Sequence, residues 1–189
     1  MNLYCILVVT GKEISFRDSA IKKMNSGEIG AKGKFHVIKK LMRLKNGKIY
    51  SETLFPGYVF FETEIEDKEI LAQLKSADGY LRFLPSMSKA AVLKGNDLDI
   101  VRGLISDGDA LRFLRVRFDE NDKVVIKNKL YRNCKGVVKS VNRCNHRLNL
   151  EVELLNGIRV INLSYFDIEK EDWSQDEENF LKTSAVNAE

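Results

Sequence analysis

The stretch that decides the fold is Leu54-Phe55-Pro56-Gly57-Tyr58-Val59-Phe60-Phe61. Proline has no amide proton and glycine has no side chain, so neither suits the interior of a central strand. Pro56 and Gly57 are therefore predicted to end one strand and begin the next, and Tyr58 to Phe61 has strong strand propensity. We expect Phe55 and Tyr58 to be presented together on an exposed shoulder of the sheet. The alternative is that both rings are ordinary core residues.

The chain before this stretch predicts a strand followed by a helix. Leu3 to Val9 is a continuous apolar run of strand length. Thr10-Gly11-Lys12-Glu13 is typical of a capping box, in which the Thr10 hydroxyl would accept from the Glu13 amide while Glu13 reaches back. Apolar residues at helical spacing follow as far as Met24, and Asn25-Ser26-Gly27 predicts the end of this helix.

The segments on either side of the central stretch complete a split-βαβ plan. Phe35 to Leu44 is extended, Asn46-Gly47 predicts a hairpin turn, and Ile49 to Leu54 is the returning strand. Beyond Phe61, the segment around Leu71 predicts a short amphipathic helix, and Tyr80 to Leu84 another strand. This order predicts an antiparallel sheet with helices on one face.

The sequence pattern changes to short β-rich runs in the last third of the chain. A further helix is predicted from Asn96 to Ile105, and a linker is predicted over residues 106–117, although Leu111 to Val116 could also form a strand. Beyond Phe118, short β-rich runs alternate with turns that contain Asn or Gly, which is typical of a small five-stranded barrel. The acidic tail from residue 172 to 189 is expected to be disordered.

Composition excludes several classes of protein. The chain has 189 residues, of which 44% are hydrophobic, as in ordinary soluble proteins. No apolar run approaches the roughly 20 residues needed to span a membrane, and the N-terminus lacks the pattern of a secretory signal. Its three cysteines form no disulfide-framework spacing. We therefore expect a cytoplasmic protein without a membrane partner.

Charge is segregated along the chain although the net charge is only +4. Residues 32–48 carry seven Lys or Arg and no acid, and residues 123–150 carry eight more, again without an acid. Clustered cations favour a polyanionic partner. The alternative is that both segments are solvated surface that keeps the protein soluble.

Two blocks of sequence together resemble the NusG family of transcription factors. Leu54-Phe55-Pro56-Gly57-Tyr58-Val59 resembles the central signature of the NusG N-terminal (NGN) domain. The block from Cys134 to Asn142, with the strands that follow it, resembles a KOW motif in an SH3-like barrel. Within the family, the Thr10–Glu13 turn and the basic segment Asn142 to Arg147 look like LoaP, a specialised antitermination paralogue.

The resemblance implies the fold and the domain boundaries. We predict an α+β protein with an N-terminal split-βαβ NGN domain at residues 1–105 and a linker at residues 106–117. A C-terminal five-stranded SH3-like KOW β-barrel at residues 118–171 and the acidic tail follow.

The resemblance also implies a polymerase partner for the first domain. In this family the NGN domain receives the clamp helices of the largest subunit of RNA polymerase, in a pocket to which Leu7 belongs. The implied polymerase-binding residues are Leu7, Phe55, Pro56 and Tyr58. Leu3 stands where the family commonly has Trp, which is a departure from that pocket.

RNA contact by the barrel and DNA contact by the hairpin are the further functional predictions. The barrel residues predicted to bind RNA, a nascent transcript with a hairpin, are Lys129, Arg132, Lys135, Lys139, Arg143, His146 and Arg147. In the hairpin segment, Lys39, Lys40 and Arg43 are predicted to approach upstream DNA. A monomer is expected.

Two other functions stay open at the level of sequence. One is a general NusG-type elongation factor whose barrel recruits ribosomal or termination proteins. The Lys129-Leu130 and Leu155-Asn156-Gly157 segments depart from the pattern of that factor. The other is a stand-alone KOW RNA-binding protein. No arrangement typical of a catalytic site, a metal site or a phosphate-binding loop is evident, so no enzyme, metal or cofactor is predicted.

Overall fold

The computed structural model describes residues 1–84, 90–106, 110–121, 123–126, 137–155 and 157–167. The protein is α+β, as predicted. Its helices are α1 (Glu13–Asn25), α2 (Lys68–Ala72), which continues as a 3-10 turn (Gln73–Ser76), and α3 (Gly95–Ser106). The strands before α3 are β1 (Asn2–Val8), β2 (Lys34–His36), β3 (Lys39–Arg43), β4 (Ile49–Thr53), β5 (Tyr58–Thr63) and β6 (Tyr80–Leu84). Those after it are β7 (Ala110–Leu111), β8 (Leu114–Phe118), β9 (Val124–Ile126), β10 (Val137–Asn142), β11 (Arg147–Leu154) and β12 (Gly157–Asp167).

The described residues form two compact units. Unit 1 contains Met1–Ile38 and the described residues from Thr53 to α3, and unit 2 contains Lys39–Glu52 and the described residues from Ala110 onward. The chain therefore leaves unit 1 after Ile38, contributes a hairpin to unit 2, and returns at Thr53.

Unit 1 is built on an antiparallel sheet with the strand order β2-β5-β1-β6. Side chains alternate between the two faces of each strand. Tyr4 and Ile6 of β1 share one face with Phe61 of β5, and these buried side chains pack with Phe16 of α1 and Leu71 of α2. The predicted split-βαβ arrangement, with helices against one face of the sheet, is therefore present.

Unit 2 contains the predicted five-stranded barrel sheet, with the strand order β10-β11-β12-β8-β9. The pairs β10–β11, β11–β12 and β8–β9 are antiparallel, whereas β12 and β8 run parallel. Alternate residues of β11, including Leu148, Leu150 and Val152, are buried, which is the pattern of a sheet with one inward face.

The hairpin β3–β4 joins unit 2 through a small core of its own. Leu41 packs with Phe113 and Phe166 in this core, with Ile49 against it. The Phe113 and Phe166 rings meet edge to face with centroids 4.8 Å apart. Strand β3 also pairs in parallel with β7, which gives the sheet order β4-β3-β7.

This division differs from the predicted boundaries in two respects. The extended segment Phe35 to Leu44 is interrupted at Val37-Ile38, so β2 belongs to the sheet of unit 1 while β3 belongs to unit 2. Strand β8 begins inside the predicted linker, ends at Phe118 and forms part of the barrel sheet. Both differences arise from contacts between distant parts of the chain, which local patterns do not encode. The predicted acidic tail lies outside the described residues.

Over the ranges of sequence that the structure describes, every helix is too short or too polar to cross a membrane.

Candidate nucleic-acid interface and turn face

The central stretch forms a tight turn between β4 and β5. The Tyr58 amide donates to the Phe55 carbonyl oxygen over 3.1 Å, which closes the turn. Gly57 has φ +85°, and a proline followed by a residue with positive φ is typical of a type II turn. The Gly57 carbonyl accepts from the Val8 amide over 2.8 Å, so the turn is joined to the end of β1.

Glu13 holds this turn against the start of α1. One carboxylate oxygen accepts from the Gly57 amide over 2.5 Å and from the Gly11 amide over 3.0 Å. Burial of the side chain by itself raises the pKa of Glu13, but the amides of Gly57, Gly11 and Glu13 together lower that pKa below its ordinary value. The carboxylate is therefore held in its charged form.

The predicted capping box does not form as expected. The helix begins at Glu13, with Lys12 as the N-cap, and no side chain caps it. Thr10 is exposed, and Glu13 reaches back to Gly11 and across to Gly57 rather than to the Thr10 amide. The prediction that Thr10 caps the helix was wrong because the helix begins at Glu13, so that Lys12 and not Thr10 occupies the N-cap position.

Leu7 and Tyr58 lie side by side next to the turn. The two residues are directly opposite each other in the β1–β5 pair, and Arg82 of β6 is opposite Leu7 on the other side. All three side chains are partly exposed, and Pro56 is exposed. We call Leu7, Pro56, Tyr58 and Arg82 the turn face.

Phe55 does not belong to this face. Its side chain is only 6% exposed, and its ring lies edge-on to the rings of Phe60 and Tyr58, at centroid distances of 6.3 and 6.5 Å. The expectation that Phe55 and Tyr58 point outward together was wrong for Phe55. Tyr58 remains partly exposed, and its ring packs against the buried ring of Phe55.

A rigid basic turn joins β10 to β11 in unit 2. The Asn142 side chain accepts from the Asn145 amide over 3.0 Å, and the His146 amide donates to the Arg143 carbonyl. His146 adopts φ 48°, and its ring lies 5.6 Å from that of Tyr165. Arg143 packs its guanidinium 4.1 Å above the Phe118 ring, which is cation–π geometry.

This turn meets the tip of the hairpin at a cavity of about 460 Å³. Arg147 donates to the Arg43 carbonyl over 3.3 Å, and the Arg43 amide donates to the Ser164 hydroxyl over 3.4 Å. We call this site the basic cavity; its lining residues are Arg43, Leu44, Lys45, Cys144, Asn145, His146 and Arg147. No Asp or Glu is among these seven described residues.

Nε of Arg147, a donor, and Oδ1 of Asn145, an acceptor, are among the buried polar atoms of the lining that lack a hydrogen-bond partner in the described part of the chain. Buried polar atoms are nearly always satisfied by protein, water or ligand. A donor and an acceptor in the residues that line the cavity are therefore left without a protein partner in the described part of the chain.

The predicted nucleic-acid residues are dispersed. Arg43, His146 and Arg147 meet at the basic cavity, and Arg143 lies in the same turn. Lys139 is exposed and forms an ion pair with Glu151 over 2.9 Å, and Lys39 is partly exposed on β3. Lys129, Arg132 and Lys135 lie outside the described residues.

Lys40 is buried and stabilises unit 2, whereas it was predicted to be exposed for contact with DNA. Its side chain is 8% exposed, its ammonium group pairs with Glu52 over 2.9 Å, and it donates to the Asn162 carbonyl over 2.6 Å. The ammonium group is therefore engaged within unit 2, and we no longer expect it to contact a phosphate.

Arg82 of the turn face was not predicted from the sequence. Lys45, Asn145 and Cys144, which line the basic cavity, lay in the two basic segments but were not predicted individually as site residues. The Asn46-Gly47 turn was a signal that Lys45 stands at a hairpin tip. No signal in the sequence indicated that this tip meets the turn after β10.

Comparison with known proteins identifies the family. The family model described as "Transcription termination factor nusG" matches residues 1–102, which is more than half of the chain. The chain belongs to the NusG family.

Relatives of this NusG-family chain agree with the assignment. The transcription termination/antitermination protein NusG of Borreliella burgdorferi is 22% identical over 142 residues, which cover 70% of this chain and 77% of that protein. A solved structure, described as domain interaction in Thermotoga maritima NusG, superposes with a TM-score of 0.59 at 20% identity. It covers 86% of this chain and 93% of that one and supports the same fold.

Family membership makes the chain a transcription termination/antitermination factor. Proteins of this family are transcription factors rather than enzymes.

Proposed function

We propose that this NusG-family factor binds RNA polymerase through the turn face of unit 1 and contacts the nascent transcript through the barrel. The proposed partners are the clamp helices of the polymerase and an RNA hairpin. Binding across the polymerase cleft would hold the clamp closed and so suppress pausing or termination. Selective RNA contact would restrict the effect to particular operons, as in LoaP-like factors.

The geometry of the turn carries the proposal for polymerase binding. Glu13 fixes the Pro56-Gly57 turn to α1, and the register sets Tyr58 beside Leu7. Tyrosine and arginine are enriched in binding hot spots, and Tyr58 and Arg82 lie on either side of Leu7 in the sheet. The buried Phe55 ring packs against Tyr58 and limits its movement.

The clustered positive charge of unit 2 supports RNA contact by the barrel. Arg143, His146 and Arg147 come from one turn, and Arg43 and Lys45 come from the hairpin tip. Nonspecific contact of the Arg and Lys side chains of this set with phosphates would make binding weaken as salt is raised. The factor would act as a monomer, with DNA upstream of the bubble as a further contact of Lys39.

Capture of purified core RNA polymerase by the tagged full chain tests the polymerase contact. Tyr58→Ala should weaken capture by about 30-fold, the effect of losing a hot-spot side chain worth about 2 kcal/mol. Tyr50→Ala is the matched control, since Tyr50 is a partly exposed tyrosine of the hairpin outside the turn face. Equal capture by the two variants would contradict the proposal.

The same protein, in a gel shift with RNA, separates the alternatives. RNA binding together with polymerase capture supports the proposed factor. Polymerase capture with ribosomal-protein binding and no RNA shift would instead indicate a general elongation factor. RNA binding without polymerase capture would indicate a stand-alone RNA-binding protein.

A further inference from the structure

The basic cavity joins two basic segments that are distant in the sequence. Arg43 and Arg147 are 104 positions apart and meet through the hydrogen bond from the Arg147 guanidinium to the Arg43 carbonyl. The hairpin tip also contributes Lys45, and the turn after β10 contributes Asn145. A site built from both segments can recognise a ligand that neither segment could hold alone.

The unpartnered atoms of the lining define the chemistry of that ligand. Nε of Arg147 requires an acceptor, and Oδ1 of Asn145 requires a donor. A phosphodiester oxygen supplies the acceptor and suits the positive charge of Arg147 and Lys45. Neither the phosphodiester nor deoxyribose carries a donor, whereas the ribose 2′-hydroxyl does. Base N–H donors are common to RNA and DNA, so this site prefers RNA where Asn145 accepts from the 2′-hydroxyl.

The size of the cavity suits a single nucleotide. Its volume of about 460 Å³ lies within the roughly 300–1,000 Å³ typical of small-molecule sites. Proteins that recognise RNA by sequence usually bind loops and bulges, from which unstacked bases can be splayed out. A nucleotide turned out of a loop fits such a cavity, whereas a base-paired stem does not.

We propose that the basic cavity binds one unstacked nucleotide of single-stranded RNA. Arg147 and Lys45 contact its phosphate, and Asn145 accepts from its 2′-hydroxyl. This inference rests on the proposed RNA contact of the barrel and assigns it to a defined pocket that includes the hairpin.

Fluorescence anisotropy of the full chain with a labelled 12-nucleotide uridine RNA tests the phosphate contacts. Arg147→Gln should weaken binding by about tenfold, as expected for loss of a hydrogen bond to a charged group, and lower the salt slope by about 0.7. Lys45→Gln, at the exposed hairpin tip, should weaken binding severalfold without disturbing the fold.

Matched controls distinguish the cavity from general positive charge. Arg117→Gln and Lys48→Gln remove the same charges from exposed positions of unit 2 outside the cavity. Each should change affinity less than twofold. Control variants as weak as the cavity variants would overturn the proposal, because affinity would then follow net charge alone.

The matched 12-nucleotide thymidine DNA tests the role of Asn145. The full chain should prefer RNA over this DNA, and Asn145→Ala should reduce that preference without lowering affinity for DNA. An unchanged preference would overturn the assignment of the 2′-hydroxyl.

Cys144 provides a direct measure of occupancy. It is an exposed free thiol in the cavity lining, whereas Cys5 is buried. In a Cys134→Ser background, saturating uridine RNA should slow alkylation of Cys144 by iodoacetamide severalfold, and Arg147→Gln should need about tenfold more RNA to reach the same protection.

The outcomes distinguish a failure of the proposed pocket from a failure of the proposed RNA contact. RNA binding by anisotropy with an unchanged rate at Cys144 would overturn the pocket and leave RNA contact by the barrel intact. Absence of RNA binding by the unmodified chain would overturn the proposed RNA contact, and the pocket with it.

Discussion

Glu13 is a buried carboxylate that stabilises the turn face through backbone amides. Glu13→Gln keeps the shape of the side chain but removes its charge, so its contacts with Gly57 and Gly11 become neutral hydrogen bonds. We expect the free energy of unfolding to fall by about 1–3 kcal/mol at pH 7. Urea unfolding measures this change. Glu64→Gln, at an exposed position of unit 1, should change it by less than about 0.5 kcal/mol.

The lowered pKa of Glu13 predicts how this contribution depends on pH. Because the folded-state pKa lies below the ordinary value of about 4.3, the stabilisation is complete above that value and is lost as pH falls through the folded-state pKa. The difference in unfolding free energy between wild type and Glu13→Gln should therefore be constant from pH 6 to 8 and shrink below about pH 4. A difference that grows on acidification would contradict the account.

Gly57 and Gly11 form a matched pair for backbone strain. Both have positive φ, +85° and +84°, but a Cβ at Gly57 would lie 3.2 Å from Thr10 Oγ1 and 3.3 Å from the Val8 carbonyl. A Cβ at Gly11 would meet nothing within 4 Å. Gly11→Ala should cost about 1–2 kcal/mol from φ alone, and Gly57→Ala should cost more. Equal losses in urea unfolding would show that the close approach has no effect.

At single residues, the backbone conformation was easier to predict from the sequence than the exposure of the side chain. Pro56-Gly57 indicated a turn because both residues restrict the backbone locally. The burial of Phe55 was one of two alternatives that the sequence left open. The burial of Lys40 was not predictable, because it depends on Asn162, 122 positions away.

The hairpin β3–β4 packs in unit 2 and not in the domain of residues 1–105 to which it was predicted to belong. Leu41 is 2% exposed in the small core with Phe113 and Phe166, so Leu41→Ala should destabilise unit 2 by about 2–5 kcal/mol. Hydrogen exchange of β12 amides measures this loss in the full chain. Leu44→Ala, in the same hairpin but 43% exposed, should have little effect. Unchanged exchange in Leu41→Ala would contradict the packing of the hairpin in unit 2.

Elements with a clear local pattern of apolar or strand-forming residues were predicted from the sequence. Strands β1, β5 and β11 and helix α1 follow apolar patterns that encode them locally. The break between β2 and β3 and the inclusion of β8 in the barrel sheet were not encoded in this way. They depend on which strands have an edge available for pairing, and only the folded chain determines this.

On the scale of the whole molecule, the proposed function combines polymerase binding by unit 1 with RNA binding by unit 2. Docking on polymerase would keep the barrel near the transcript, and tethering of this kind raises the effective concentration of a weak RNA binder to about the millimolar range. The effect on transcription should therefore resist salt better than RNA binding by the factor alone. Titration of both with salt checks this expectation.

Single-round transcription by purified polymerase on a template with a pause site tests the central proposal most directly. The account predicts that the wild-type chain shortens the pause, that Tyr58→Ala does not, and that Tyr50→Ala acts like wild type. Pause shortening by Tyr58→Ala equal to that by the wild-type chain, at concentrations below saturation, would contradict polymerase binding through the turn face.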